Sequence, residues 1–110
     1  MPRPYIAFTP DHAGKLLVTI SCELQVVNQA AWSGAANAAI NVLQGLSGEM
    51  GDQIQLNTVR TPHTLRGIFN VPTGGTLTYV VLYLFPGSFG SPLPYINWWN
   101  VKFTAELLKK

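Results

Sequence analysis

Between Lys15 and Asn28 the chain alternates with a period of two. Leu16, Val18, Ile20, Cys22, Leu24 and Val26 fall on one side, and Lys15, Thr19, Ser21, Glu23 and Gln25 fall mostly on the other. Successive side chains of a strand point to opposite faces, so the stretch reads as a long β-strand with one face in a core and one toward solvent. Cys22 lies on the apolar side and is expected to act as a small core residue.

Further segments carry the same signal. Gln53 to Arg60 reads as a strand with Ile54 and Leu56 inward, ended by Thr61-Pro62. His63 to Val71 sets Leu65, Phe69 and Val71 against Thr64, Arg66 and Asn70. Thr76 to Phe85 is apolar on both faces after Thr78, which predicts a central strand covered on both sides, one cover being a neighbouring subunit. Tyr95 to Leu108 closes the chain, with Trp99, Val101, Phe103, Ala105 and Leu107 facing one way and Asn100, Lys102, Thr104 and Glu106 the other.

The connections are read from glycine and proline. Ser47-Gly48-Glu49-Met50-Gly51-Asp52 has turn chemistry, Pro72-Thr73-Gly74-Gly75 predicts a four-residue hairpin connection, and Pro86 to Pro94 reads as a loop. Gln29 to Leu46 is ambiguous. Ala36, Ala39, Ile40 and Leu43 fit a helix, whereas Ala38, Ile40 and Val42 fit a strand, and the strand-rich surroundings favour the strand. Residues 1–12, with three prolines, read as an extended N-terminal arm ahead of a single domain over 13–110. The arm is either an edge strand of its own domain or a segment laid across a neighbouring subunit. Six or seven strands and no clear helix predict an all-β chain, an antiparallel sandwich or barrel.

Seven basic and five acidic residues make twelve charges in 110 residues. An ordinary soluble domain of this length carries about 27. The longest apolar run, Tyr79 to Phe85, is seven residues, against the ~20 that a membrane-spanning helix needs. Few charges without a membrane span point to a building block that holds part of its surface against other protein. The basic residues are scattered, which argues against nucleic acid as a partner. No apolar h-region of a secretory leader follows Met1-Pro2-Arg3-Pro4, so synthesis and folding in the cytoplasm are expected.

The chemistry-bearing residues are dispersed. Glu23 and Glu106 alternate outward on strands, Glu49 and Asp52 sit in the turn segment, and Asp11-His12 are neighbours on an extended chain and point apart. His12 and His63 lack a third ligand, and Cys22 is the only cysteine. No catalytic residue, metal or cofactor is expected. Exposed aromatics suggest binding instead, because Tyr and Trp give large contact area at low entropic cost. The candidate partner-binding residues are Tyr5, Ile6 and Phe8 in the arm, Trp32, which is also expected to close one end of the core, and Phe89, Tyr95 and Trp98 around the last loop. Trp98 and Trp99 face opposite sides of a strand, so at least one leaves the core.

Ile68-Phe69-Asn70-Val71-Pro72 running into Gly74-Gly75-Thr76-Leu77-Thr78-Tyr79 resembles the strand–turn–strand of small jelly-roll modules. These include tumour-necrosis-factor and C1q-like folds and the knobs and decoration proteins of tailed phages. With its extended N-terminal arm and final aromatic strand, the chain looks most like the jelly-roll capsid decoration (cement or staple) proteins of short-tailed phages, epsilon15-like. The resemblance implies a β-sandwich on the outer surface of a virion that ties neighbouring major capsid subunits together. Its implied partners are the major capsid protein and further copies of itself, as a dimer or trimer. The alternative it leaves open is a trimeric receptor- or carbohydrate-binding knob, which usually follows a fibrous stalk; none is seen in a chain beginning at Met1.

Overall fold

The computed structural model describes residues 3–27, 36–85 and 95–108, the Tyr95 side chain apart. Every regular element among them is a strand: β1 (Tyr5–Phe8), β2 (Gly14–Val27), β3 (Asn37–Gln44), β4 (Ser47–Met50), β5 (Ile54–Gln55), β6 (Thr61–Val71), β7 (Thr78–Phe85) and β8 (Tyr95–Leu108). The chain is all-β, built from two antiparallel sheets. One has the order β1-β7-β3-β4, with β5 also on β3, and the other has the order β6-β2-β8.

The long alternating strand becomes the spine of the second sheet. From Lys15 to Leu24 it pairs with β6 on one side, and it pairs with β8 from Lys15 to Val27 on the other. Its apolar side chains, Leu16 through Val26, are all buried, as the period-two pattern predicts. They meet Ala38, Ile40 and Val42 of β3, Val80, Leu82 and Leu84 of β7, and Leu65, Phe69 and Val71 of β6 in one apolar core. Residues 37–44 are therefore a strand, with Ala38 buried in the core and Ala39 buried on the opposite face.

The connections depart from the sequence reading in four places. Ser47 to Met50 is strand β4, and the reversal comes earlier, at Gly45-Leu46. Gly45 has φ +60°, the conformation required at the first central position of a II′ hairpin turn. Only Ile54-Gln55 of the segment 53–60 is strand. Thr61-Pro62 opens β6 instead of breaking it, which an edge strand tolerates because a missing ladder donor there costs little. Pro72 to Leu77 is no hairpin, since β6 and β7 belong to different sheets, and the segment carries the chain from one layer to the other.

Gln44 holds that crossover. Buried at the end of β3, its side-chain Nε2 donates to the Thr73 carbonyl at 2.8 Å and to Thr78 Oγ1 at 2.9 Å. Its Oε1 accepts from the Thr73 N–H at 3.0 Å and the Thr73 hydroxyl at 2.9 Å. Gly74 presses against the Asp11–His12 backbone, where a Cβ would stand 2.6 Å from His12 Cα.

The closing strand breaks phase once. Glu23 faces Trp99 and Ser21 faces Lys102, so Cys22 alone opposes Asn100 and Val101. This is a β-bulge, with Asn100 at φ 53°, a left-handed conformation that Asn adopts more readily than most residues. Before the bulge Ile96 and Trp98 turn inward; after it Val101, Phe103 and Leu107 do. The single alternation read from sequence is therefore corrected: Trp99 faces outward. Strand β7 is central, but only one of its faces is fully covered, because Tyr79 and Phe85 on the other remain about 40% exposed.

Replacing Gln44 by Leu removes five hydrogen bonds, to Thr73, Thr76 and the buried Thr78. The expected loss is about 1–3 kcal/mol, read from urea denaturation at constant m-value. A loss within surface-substitution noise, about 0.5 kcal/mol, would show that the crossover holds itself.

Candidate functional site

The outer face of the β1-β7-β3-β4 sheet has almost no charge. Register places Tyr5 and Ala7 of β1 beside Val81 and Tyr79 of β7, and these beside Asn41 and Leu43 of β3. Tyr83 and Phe85 continue the row, and Met50 of β4 ends it across from Asn41. Tyr5 is 57% exposed and Met50 42%, so the face is apolar and open. The Tyr5 and Tyr79 rings stand 5.8 Å apart at a tilt. One cation reaches the face: the Arg3 guanidinium lies 4.6 Å over the Tyr83 ring and donates to the Leu84 carbonyl at 3.1 Å. Its charge is taken up by the ring and the backbone. An exposed apolar face of this kind is a candidate for contact with another molecule.

The opposite outer face, on β6-β2-β8, carries charge, with Leu17 and the 61% exposed Ile68 set among the charged side chains. Lys15, Glu23, Arg66, Lys102 and Glu106 all project from it. At its bulge end, Arg60 Nε donates to Glu23 Oε1 at 2.8 Å, Asn100 Nδ2 donates to Glu23 Oε2 at 2.5 Å, and the Arg60 guanidinium covers the Trp99 ring at 4.2 Å. The hydrogen bond from Arg60, and then that from Asn100, hold the Glu23 carboxyl below its usual pKa. The group is exposed, and this pairing is a small local gain that is lost as acid protonates Glu23.

Cys22 and His63 are cross-strand partners on β2 and β6, which brings a thiol and an imidazole together. They line an open depression of about 370 Å³ with Glu23, Thr64, Asn100 and Lys102. Burial pushes the Cys22 thiol up to about 11, away from the thiolate that nucleophilic chemistry needs. His63 Nε2 is buried without a hydrogen-bond partner among the described residues. Among the described residues no three His, Cys, Asp or Glu side chains group to hold a metal, and no helix is long and apolar enough to cross a membrane.

The candidate binding residues separate. Tyr5 sits on the open apolar face. Ile6 and Phe8 point the other way and pack against the core, because residues 5–8 are an edge strand on β7 of the same domain. Trp98 also packs against the core, and its neighbour Trp99 takes the outward position. Tyr95 begins β8, and its side chain lies outside the described residues, as do Trp32 and Phe89. The sequence reading omitted Arg3, Tyr79 and Tyr83 as binding residues, although the two-sided apolar pattern of residues 79–85 was the available signal. No family model matches the chain, and no curated protein matches it.

The thiol gives a direct check of the buried face. The folded protein keeps the Cys22 proton up to about 11 against an ordinary 9.0. That contribution to stability is full below pH 9 and is lost as pH rises from 9 to 11. Ellman's reagent is expected to leave the native protein unlabelled at pH 8 and to label it on unfolding. The alkaline loss of stability should shrink in C22V. Rapid native labelling would overturn the burial.

Proposed function

We propose that this chain is a structural virion protein, a jelly-roll module that decorates the outer capsid and stabilises it by tying neighbouring major capsid subunits together. The observation that carries the reading is the segregation of charge between the two outer faces. One bears five charged side chains and suits water; the other bears Tyr5, Tyr79, Val81, Tyr83 and Met50 and suits a protein partner. The jelly-roll assignment is supported by the way the chain changes sheet: β2, β6 and β8 lie in one layer and the strands between them in the other. In this role the chain does no chemistry of its own, needs no cofactor and is made in the host cytoplasm before joining the virion. Its surface acts by contact, with the major capsid protein and with further copies of itself as partners.

A second reading, a carbohydrate-binding knob, is favoured by one observation. The bulge brings Glu23, Arg60 and Asn100 to the Trp99 ring, and an aromatic ring beside an acid and an amide is the usual equipment of a sugar site. Arg60 already covers one face of that ring, where a sugar would stack.

The test uses empty shells assembled without this chain. Purified protein is expected to co-sediment with them and raise their resistance to heat. Y5S and Y79S should each weaken binding about tenfold or more while leaving the fold intact, as loss of an interface anchor does. T64E, on the polar face, should change nothing. Glycan binding with no affinity for shells would overturn the proposal in favour of the knob.

A further inference from the structure

Strand β8 is the long edge of the polar sheet: among the described residues only β2 pairs with it. Long edge strands invite pairing with another chain unless something blunts them. The opposite edge, β6, is blunted: Pro62 lacks a donor, and the Glu49 carboxylate accepts the Asn70 backbone N–H at 2.8 Å. From Val101 to Leu108, β8 has no proline and no glycine. Ala105 lies opposite Val18 on the core side, yet it is exposed. With Leu107, Ile6, Phe8 and Leu16 it lines an opening of about 420 Å³ where β1 and β8 face each other unpaired. The inward-facing side chains of β8 at this opening, Ala105 and Leu107, are left partly exposed, while Leu16 behind them stays buried.

We propose that β8 pairs with β8 of a second copy of this chain, antiparallel about a two-fold axis at Thr104. The argument is charge complementarity in register. In an antiparallel pair centred on Thr104, residues equally far to either side face each other, so Lys102 meets the second copy's Glu106 and Glu106 meets its Lys102. The same register sets the large Phe103 opposite the small, exposed Ala105, and Val101 opposite Leu107, on the core side. Between two copies of this strand, opposite charges symmetric about an uncharged centre match in the antiparallel sense and would repel in a parallel in-register pair. The Asn100 bulge ends the regular ladder on one side and so limits the pairing to the segment after it. The product is a six-stranded sheet, β6-β2-β8 continued by the same strands of the second copy, with both edges formed by the blunted β6. The pairing extends the structural reading above and is separable from it: it concerns the edge of one sheet, and shell binding concerns the face of the other.

Analytical ultracentrifugation of the purified chain is expected to show a dimer. K102E and E106K should each weaken it about tenfold or more at low salt, because each sets like charges opposite each other twice per dimer. The double variant K102E/E106K should restore it. T104C should form a symmetric disulfide on oxidation, since opposed residues lie about 4.5–5.5 Å apart between Cα atoms, within disulfide reach; Cys22 is buried and does not compete. Circular dichroism confirms folding of each variant. A wild-type chain that is monomeric at the highest soluble concentration overturns the proposal. A dimer that neither reversal weakens overturns the pairing, and one in which T104C fails to link overturns the register. A dimer with intact charge dependence but no affinity for shells would leave this pairing standing and sink the capsid reading alone.

Discussion

The fold depends on one strand being paired along nearly its whole length on both sides. Strand β2 gives its backbone to β6 and β8 and its apolar face to the facing sheet, so it lies at the centre of the core. Six side chains, from Leu16 to Val26, are each less than 5% exposed. At about 25 cal/mol per Å² of apolar area removed from water, such a row outweighs any polar contact in the molecule. A one-residue slip of β2 would turn every one of these side chains to solvent and bring Lys15, Glu23 and Gln25 inside, and that penalty fixes the register of both neighbours.

What could be read from sequence follows the same logic. Where burial alone sets the pattern, as in β2, β6 and the inner face of β7, residue and face are legible because alternation is the direct imprint of a covered side. Where local geometry decides, the pattern misleads. Gly48 and Gly51 look like turn residues, yet the reversal needed its positive φ at Gly45. Asn100 looks like one more outward polar residue, yet its left-handed backbone changes the phase and trades the places of Trp98 and Trp99. Pro72 to Gly75 has hairpin chemistry, but which sheet a strand joins is settled by distant partners, here Gln44 and the Asp11–His12 backbone. Of the candidate site, the aromatic character was visible and its location was not. Tyr5 was found because it stands among prolines in a short segment, while Tyr79 and Tyr83 were read as a covered face.

The scarcity of charge acquires a direction in three dimensions. Among the described residues, charged side chains collect on the outer face of β6-β2-β8, and the outer face of the other sheet has only Arg3, stacked on Tyr83 and bonded to a carbonyl. A molecule with one wet face and one dry face has an orientation relative to whatever it meets.

The bulge at Asn100 also restricts how this chain can vary in length. Because side chains alternate, the parity of the count along β8 determines which residues face the core. The structure spends one unpaired residue to reset that parity between Trp99 and Lys102. Removing Asn100 would leave Val101 alone opposite Cys22, turn the bulge into regular ladder and keep Trp98, Val101 and Phe103 facing the core. Inserting one more residue elsewhere between Ile96 and Phe103 would add a second break in phase and exchange inside for outside on one part of the strand, so this strand can lose its extra residue more easily than it can gain another.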